Sequence, residues 1–277
     1  MNLRDAVNFT FENRESWNSG RGAGTARINA NHVLRILGDE IQVQDIRTQH
    51  FTQLTQALKA EGKAPATINR ISAALSTVLS ELRCHGYDIP DVHYKRQREP
   101  KAPRPTFFTE EEIERLCVAA EGLTDYYLMH DAIRFASLTG CRQGEMLKLR
   151  DKDVDFDNLT ITFTNTKTED FRTVHMHADL VPILQRRVAV RIDRDLFPFR
   201  DKDQLLRAFK TVKAAAGLDP NDGRVWHSIR HSTATWLVER NAPLRAVMGV
   251  LGHSRVETTL RYAKASDRSV AAAIDLL

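Results

Sequence analysis

Several features that mark secreted, membrane or metal-binding proteins are scarce or missing in this 277-residue sequence. No apolar run approaches the roughly 20 residues that a membrane-spanning helix needs. Residues 1–10 lack the apolar core of a signal peptide. The three cysteines, Cys84, Cys117 and Cys141, are odd in number and do not have metal-binding spacing. These absences exclude a transmembrane protein and favour a reduced, cytoplasmic compartment.

A large excess of charge is also missing. The formal net charge is +4, and 27% of the residues are charged, as in ordinary globular proteins. Residues 1–104 hold 15 Lys and Arg against 11 Asp and Glu, whereas residues 105–277 hold 25 of each kind. A solvated surface of mixed charge explains this balance as well as DNA binding does, so charge alone identifies no partner.

Residues 1–94 have helical apolar periodicity, and no strand pattern interrupts it. The spacing predicts amphipathic helices at 25–37, 48–61 and 67–84, each of which ends at or near a glycine. The polar, glycine-rich stretch 12–24 is predicted to be a loop. A small all-helical bundle is therefore expected as the first domain.

Residues 95–105 differ in composition from the segments on either side. They contain three prolines and five basic residues, which disfavours a helix or a central strand and predicts an extended linker. Positive charge along an extended segment suits a path across a DNA backbone, although an ordinary solvated linker explains it too.

Residues 106–277 are predicted to form a second domain that combines helices with a small β-hairpin. Apolar and polar residues alternate at 159–163 and 174–176, which predicts two strands and places Lys167 near the tip between them. Further helices are predicted at 123–138, 179–188 and 205–216. The fold class is therefore mostly α, with an α+β second domain.

Two S/T-x-x-E patterns predict helix starts in this domain. They are Thr109 with Glu112, and Ser254 with Glu257. In such a capping box each side chain accepts a hydrogen bond from the backbone N–H of the other residue. Helices are therefore expected to begin directly after Thr109 and Ser254.

The stretch 226–262 contains side chains that are suited to chemistry. His227 and Arg230 are three residues apart, so a helix places them on one face. The Asn-Ala-Pro sequence that follows predicts the end of that helix. A second helix at 244–251 and a third, short helix that ends near Tyr262 are predicted next.

These side chains would suit a phosphodiester. Arginine presents a planar pair of donors to two phosphate oxygens, and histidine can donate a hydrogen bond or carry a proton. Tyrosine becomes a nucleophile when a neighbour takes its proton or a cation stabilises its phenolate. One arginine is too little for a transition state that spreads charge over several oxygens. A second arginine and a general acid are therefore expected upstream, and Arg142 and Lys167 fit these roles.

Six residues in order carry a resemblance to a known family. They are Arg142, Lys167, His227, Arg230, His253 and Tyr262. The tyrosine recombinase (phage integrase) family has the pattern T-G-x-R-x-x-E, a hairpin lysine, H-x-x-R, L-G-H and a tyrosine nine residues later. This sequence resembles the family at each of these points. The spacing from His253 to Tyr262 is also nine residues. By motif the resemblance covers about residues 106–265, and it extends more loosely to the N-terminal region.

The resemblance implies a role for each of the six residues. Arg142 and Arg230 would clamp the scissile phosphate, and Tyr262 would attack phosphorus to form a 3′-phosphotyrosyl link. Lys167 would protonate the departing 5′-oxygen. His227 and His253 would donate further hydrogen bonds, and either of them is a candidate acceptor for the tyrosine proton.

Glu145 is implied to orient the site from behind the reacting groups. An ordinary intrahelical ion pair with Arg142 or Lys148 explains its position equally well.

The resemblance also implies where the first domain meets DNA. Residues 64–70 resemble a helix start in the core-DNA-binding domain of the family. The candidate DNA contacts are Lys63, Asn69, Arg70, Lys95, Arg96, Arg98 and Lys101. For the first three of these, a solvated helix N-terminus is an equally good explanation.

Partners follow from the same resemblance. The first partner is double-stranded DNA with two recombination sites. The second is further copies of the chain, which would form a homotetramer on that DNA and can be monomeric in solution. Accessory DNA-bending or directionality proteins are candidates for further partners, and association with the nucleoid is expected. No cofactor, metal or membrane is expected.

The tail at 263–277 has seven apolar residues among its last eight, so it needs a groove on its own domain or on a neighbouring protomer.

Integration or excision of mobile DNA such as a phage is the implied function. The alternatives are a Xer-like resolvase of chromosome or plasmid dimers, a relaxing enzyme similar to type IB topoisomerases, and a DNA-binding regulator without catalysis. The intact set of six residues argues against the regulator. No further domain is apparent before the helical bundle, so binding of separate arm sites is not expected.

Two histidine pairs resemble metal ligands only superficially. His227 and His231 have H-x-x-x-H spacing, but Ser228 stands where a metalloprotease has its catalytic glutamate. His175 and His177 share one face of a strand, but no further ligand residues complete the set. Both pairs are therefore interpreted as polar residues that bind no metal.

Overall fold

The computed structural model describes residues 1–20, 22–100, 106–123, 127–164 and 171–262. It divides the chain into two compact units, Met1–Lys101 and Ala102–Leu277. Both units are mostly helical, and the second also contains a small sheet. Within these ranges no helix is both long and apolar enough to cross a membrane.

The first unit is a helical bundle, as the apolar periodicity predicts. Its helices are α1 (Leu3–Asn13), α2 (Glu15–Asn18), α3 (Ala23–Leu37), α4 (Thr48–Ala60) and α5 (Pro65–Cys84), with a 3₁₀ turn at Val43–Asp45. The three predicted helices correspond to α3, α4 and α5. Helix α5 packs against α1, α3 and α4 and buries Ile71, Leu75 and Leu79 in the core. Pro65 opens this helix, where its missing N–H leaves no intrahelical bond unmade.

The prediction of a loop at 12–24 is wrong. Helix α1 continues to Asn13 and α2 follows it directly, so helical turns occupy the first part of this stretch. Trp17 gives the physical reason, because its side chain is buried and its ring lies 5.0 Å from that of Phe11. Burial of one large aromatic ring outweighs the weak helix propensity of the polar residues around it.

Residues 95–100 form neither helix nor strand. Tyr94 and Gln97 nevertheless contact the helices of the first unit. The ring of Tyr94 stacks on Phe51, with centroids 4.5 Å apart. The backbone N–H of Gln97 donates to the side-chain oxygen of Asn69 at 2.7 Å, and its carbonyl accepts from the amide nitrogen at 2.9 Å. The beginning of the expected linker is therefore held on the bundle.

The second unit combines helices with one antiparallel sheet. In the described residues its strands are β1 (Val154–Asp155), β2 (Thr160–Thr164) and β3 (Phe171–His175), in the order β1-β2-β3. Its helices there are α6 (Glu110–Glu121), α7 (Tyr127–Thr139), α8 (Gln143–Met146), α9 (Leu180–Ala189), α10 (Lys202–Ala215), α11 (Trp226–Glu239), α12 (Leu244–Leu251) and α13 (Val256–Leu260). Strands β2 and β3 confirm the predicted hairpin, and the alternating residues Ile161, Phe163, Val174 and Met176 are buried. Strand β1 was not predicted, because two residues are too few to show a period.

The two predicted capping boxes have opposite outcomes. The backbone N–H of Glu112 donates to the Thr109 hydroxyl at 3.2 Å, and the Thr109 N–H donates to the Glu112 carboxylate at 3.0 Å, which confirms the first box. The second box is wrong. Helix α13 begins at Val256 after Arg255, so Ser254 lies one residue too early to cap it.

Helix α11 is the element that positions the candidate site, and several of its polar side chains are buried. Ser232 accepts a hydrogen bond from the Phe108 N–H at 2.8 Å, and the Thr233 hydroxyl donates to the Ser137 carbonyl at 2.8 Å. These bonds tie α11 to α7 and to the start of α6. Gly140 follows α7 with φ of +58°, and a Cβ there would lie 2.8 Å from a methyl group of Leu251. The glycine therefore permits the close approach of α12.

Candidate active site

Three arginines converge on the C-terminal end of α12. Arg172 donates to the carbonyl oxygen of Val250 and Arg230 to that of Leu251. Arg142 donates to the carbonyl oxygen of Gly252 at 2.7 Å. The last carbonyls of a helix have no partner within it and carry partial negative charge. The end of α12 therefore gathers three guanidinium groups from separate parts of the chain.

Glu145 joins two of these arginines. Its carboxylate accepts hydrogen bonds at 2.7 Å from Arg142 Nη1, from the Arg142 backbone N–H and from Arg172 Nη2. Burial acts to raise the pKa of Glu145, but the hydrogen bond and charge of Arg172, with the two hydrogen bonds from Arg142, outweigh it and lower that pKa. Glu145 therefore stays ionised and fixes both guanidinium groups, and the pair with Arg142 is one part of that arrangement.

Arg230 is buried, and no carboxylate in the described part of the chain forms an ion pair with it. Its side chain also donates to the carbonyl oxygen of Gly140 at 2.6 Å. Burial, followed by the positive charges of Arg142 and Arg172, lowers the pKa of Arg230 to about 10, which still leaves it protonated at neutral pH. Among the described residues of the site, three arginines thus face one carboxylate. Such an excess of fixed positive charge favours an anionic ligand.

Arg142 is the most accessible of the three guanidinium groups. Its side chain is 44% exposed, whereas that of Arg172 is 13% exposed. Arg142 precedes the short helix α8, and the capping contact with Glu145 holds its backbone in an extended conformation. The end of α7 and the start of α8 therefore present this side chain to solvent, where a ligand can reach it.

The two predicted histidines lie beside the arginines. Burial, followed by the charges of Arg230 and Arg142, lowers the pKa of His227. Burial and the same arginines lower the pKa of His253 to about 4. The His253 ring also makes a hydrogen bond of 2.8 Å from Nδ1 to the Thr259 hydroxyl. At neutral pH the His253 ring is therefore uncharged.

Tyr262 is buried next to this cluster and keeps its proton. It packs with Ala234, Val247 and Leu251, and its residue surface is 6% exposed. Burial raises the pKa of the Tyr262 hydroxyl, although Arg230 and Arg261 act to lower it. The hydroxyl oxygen lies 2.6 Å from His231 Nδ1. In this conformation the tyrosine is neutral and hydrogen-bonded to a residue of α11.

The structure therefore brings together five of the six residues that the sequence singled out: Arg142, His227, Arg230, His253 and Tyr262. The sixth, Lys167, lies outside the described residues. So does the tail at 263–277.

Sequence reasoning missed the contributions of Arg172 and His231. Arg172 shares its strand face with the buried Val174, and its guanidinium lies 4.3 Å above the Phe163 ring. A charged residue on the buried face of a strand was the available signal. For His231 the H-x-x-x-H spacing suggests only half of a zinc pair. Its spacing of four residues from His227 also brings the two rings to 4.8 Å, edge to face.

The candidate DNA contacts of the first unit differ in accessibility. Arg70, Lys95, Arg96 and Arg98 are exposed, and Lys63 is partly so. Asn69 differs from the prediction, because its residue surface is only 3% exposed. Its side-chain oxygen accepts from the Gln97 N–H, and its side-chain nitrogen donates to the Glu99 carboxylate at 2.8 Å. Its side chain holds the following segment in place, so it does not face a ligand. Lys101 lies outside the described residues.

Groups that resemble a metal site do not form in the described part of the chain. No three His, Cys, Asp or Glu side chains there are arranged to hold a metal ion. His175 and His177 are exposed beside the buried Met176, as the alternation predicts for polar residues of a strand face.

Comparison with known proteins agrees with the motif and the fold. The model of the phage integrase family matches residues 106–269. A probable integrase/recombinase protein of Methanocaldococcus jannaschii is 33% identical over 150 residues, which cover 50% of this chain and 46% of that protein. The integrase of Escherichia phage P2 is 29% identical over 232 residues, which cover 82% of this chain and 63% of that protein. The chain thus matches less than two thirds of the length of either relative.

A solved structure has the same fold along nearly the whole chain. The integrase of the transposon Tn1549, determined in complex with circular intermediate DNA, aligns with a TM-score of 0.77 and 20% identity over 99% of both chains. The family match itself covers more than half of the sequence. It includes every residue of the cluster around α12, which consists of Arg142, Glu145, Arg172, His227, Arg230, His253 and Tyr262. The chain belongs to the phage integrase family.

Proposed function

We propose that this chain is a tyrosine-type site-specific recombinase, which cuts and rejoins DNA through a covalent 3′-phosphotyrosyl intermediate. The observation that carries the proposal is the cluster at the end of α12, where Arg142, Arg230, His253 and Tyr262 meet. A buried tyrosine beside an excess of fixed positive charge suits attack on a phosphodiester.

The arginines would stabilise the charge that develops on phosphorus. Arg230 is rigidly held by two carbonyl oxygens, and Arg142 by Glu145 and the Gly252 carbonyl. Each guanidinium has further N–H donors in its plane, with which it can bind non-bridging phosphate oxygens. Because these groups are already oriented, little reorganisation is needed as the transition state forms.

The covalent link would conserve the energy of the phosphodiester. Tyr262 would displace the 5′-oxygen, and Lys167 is expected to protonate that oxygen as it leaves. A 5′-hydroxyl from a partner strand would then attack the phosphotyrosine and reverse the step. Since Arg142, Arg230 and Lys167 supply the positive charge, neither ATP nor a metal ion is required in this scheme.

The partners would be two duplex sites and further copies of this chain. Recombination requires two cuts in each duplex, hence four protomers on DNA. In the first unit, the exposed Arg70, Lys95, Arg96 and Arg98 are suited to phosphate contacts.

The apolar tail at 263–277 would dock on a neighbouring protomer. Deletion of residues 269–277 should then weaken tetramers on paired sites but not single-site binding, and normal assembly of the truncated protein would refute this docking.

Mobile DNA, such as a phage genome, is the substrate that the family relationship favours, and the chain would act on it at the host nucleoid. Accessory DNA-bending or directionality proteins would set the direction of the reaction. Resolution of chromosome dimers differs from integration in that the two recombining sites are alike, so the DNA products distinguish these roles.

A plasmid library that carries the genomic flanks of this gene provides the test. Sequenced junctions should fall at a defined site with the wild type and with Tyr87→Phe, a control at an exposed tyrosine of the first unit, but not with Tyr262→Phe. Relaxed plasmids without junctions would indicate a relaxing enzyme. DNA binding without any strand cleavage would indicate a regulator and contradict the proposal.

A further inference from the structure

The hydroxyl group of Tyr262 is bonded to a histidine that the proposed mechanism has not used. His231 Nδ1 lies 2.6 Å from the Tyr262 oxygen, and the two rings have centroids 5.7 Å apart. No other hydrogen bond to that hydroxyl forms among the described residues. The His253 Nδ1 atom is instead bonded to the Thr259 hydroxyl. Within the described ranges, the histidine that forms a hydrogen bond with Tyr262 is therefore His231.

The direction of the bond follows from the protonation states of the two groups. A ring nitrogen accepts a hydrogen bond only when it carries no proton. Burial, followed by the charges of His227, Arg261, Arg230 and His253, lowers the pKa of His231 to about 4. Burial raises the pKa of Tyr262. At neutral pH Tyr262 therefore donates, and His231 accepts at Nδ1.

The fold gives His231 a fixed position for this contact. It lies on α11 one turn beyond His227 and directly after Arg230, so the helix that holds a phosphate-binding arginine also holds the partner of the tyrosine. Helix α11 is anchored through Ser232 and Thr233, which follow His231 directly. A proton acceptor on a rigid element needs no movement when the tyrosine reacts.

We propose that His231 is the base that takes the Tyr262 proton during DNA cleavage; the proposal rests on the function proposed above. As the tyrosine oxygen bonds to phosphorus, its O–H bond breaks and the proton passes to His231 Nδ1. The bond from phosphorus to the 5′-oxygen breaks, and Lys167 supplies a proton to that oxygen. In the reverse step His231 returns its proton to the departing tyrosine oxygen. The bound phosphate would add negative charge next to His231 and strengthen it as a base.

The alternative is that the same contact merely holds the tyrosine, either in place or away from the phosphate. His231→Asn separates these roles, because the asparagine oxygen lies near the former position of Nδ1. That oxygen can accept the hydrogen bond but cannot take the proton. His177→Asn, at an exposed histidine of the same unit, is the matched control.

The experiment measures single-turnover formation of the covalent adduct on a nicked duplex that carries the site mapped with the plasmid library. His231→Asn and His231→Ala should each slow the adduct by about 10²-fold or more, the usual contribution of a general base, with DNA binding unchanged. His177→Asn should react like the wild type. A wild-type rate in His231→Asn, or a rate above it, would overturn the proposal.

A second arm changes the acidity of the nucleophile. Replacement of Tyr262 by a difluorotyrosine lowers the phenol pKa, so the reaction depends less on a base. The factor by which His231→Asn slows the adduct should therefore shrink by about tenfold in the fluorinated protein. An unchanged factor would mean a structural role and overturn the proposal. If the wild type forms no adduct through Tyr262, the proposed function itself has failed, whereas a normal adduct in both His231 variants refutes only this inference.

Discussion

The two units of the molecule differ in what they bury. The first unit packs apolar side chains, and the polar residues buried there among the described positions are Thr10, Asn69 and Ser72. The second unit buries many more, namely Asp131, Ser137, Thr139, Arg187, Lys213, Ser228, Arg230, Ser232, Thr233, Thr235 and Thr259. Buried polar groups cost stability unless they are paired, so they indicate where structure serves chemistry or a fixed geometry.

Within the second unit, the buried cations Lys213 and Arg230 differ in their partners. Lys213 pairs with the Asp222 carboxylate, and Arg224 pairs with Asp222 at 2.7 Å and with Glu112 at 2.5 Å. Arg230 is bonded instead to the carbonyls of Gly140 and Leu251. The charge of Lys213 is neutralised by a carboxylate, whereas that of Arg230, which is held by carbonyl dipoles, stays available for an anion.

The largest effect is expected at the arginines of the cluster around α12. Arg142→Ala and Arg230→Ala should each lower the rate of DNA cleavage by about 10²–10³, the usual loss when one preorganised donor is removed. DNA binding should change far less, and Arg200→Ala, at an exposed position, should behave like the wild type. Single-turnover cleavage and equilibrium binding measure the two effects. Equal, modest losses in both would mark these arginines as ordinary phosphate contacts.

The apolar core of the first unit offers the matching test of stability. Leu75→Ala removes a fully buried side chain of α5 and should cost about 2–5 kcal/mol in the free energy of unfolding of that unit. Ile28→Ala, at a side chain that is 61% exposed, should change it by less than about 0.5 kcal/mol. Denaturant unfolding followed by circular dichroism gives both values. Similar losses in the two variants would mean that apolar burial does not distinguish these positions.

A smaller effect is expected at Asp222, the carboxylate that pairs with the buried Lys213 and the partly buried Arg224. Burial acts to raise the pKa of Asp222, but hydrogen bonds from Lys213 and Arg224 outweigh it and lower the pKa to about 2. Because this pKa is depressed from 3.8, the carboxylate stabilises the folded state above about pH 4 and loses that effect as the pH falls toward 2. The shift corresponds to about 2 kcal/mol at neutral pH.

The comparison with Asp222→Asn isolates this contribution. The variant should be less stable than the wild type at pH 7, and the difference should narrow as the pH falls through about 4 toward 2, the range between the two pKa values. Asp157→Asn, at an exposed aspartate of the same unit, is the control. Chemical denaturation at a series of pH values measures the difference. If it stays constant over this range, the ion pair does not depend on the ionisation of Asp222.

The smallest expected effect is that of a chelator. Arg142, Arg230 and Lys167 are proposed to meet the phosphate charge without a metal ion. Cleavage by the wild type should therefore persist in excess EDTA at the same rate. Loss of activity that magnesium or zinc restores would show that a metal takes part.

The sequence predicted those features that depend on local pattern or on ordered motifs. Apolar spacing of 3.6 or two residues found the helices α3, α4 and α5 and the strands β2 and β3, because burial of one face sets that spacing. The Thr109 capping box formed because its partners are three residues apart on the chain. The resemblance to the family, carried by the order of the motifs, indicated that Arg142, His227, Arg230, His253 and Tyr262 belong to one site.

Features that depend on tertiary contacts could not be predicted in the same way. Helix α2 forms around Trp17, whose burial depends on a neighbouring helix. Asn69 at a basic helix start suggested DNA contact, but its amide pairs with Gln97, 28 residues away. The bond between His231 and Tyr262 spans 31 residues, and no local spacing indicates it.

The central claim, that Tyr262 is the nucleophile beside the arginine cluster, is tested most directly by identifying the residue that becomes linked to DNA. The wild type is incubated with the nicked duplex, denatured and digested, and the DNA-linked peptide is analysed by mass spectrometry. The linkage should map to Tyr262, and Tyr262→Phe should bind the duplex but form no adduct. A linkage at another residue, or an adduct that survives denaturation in Tyr262→Phe, would contradict the account.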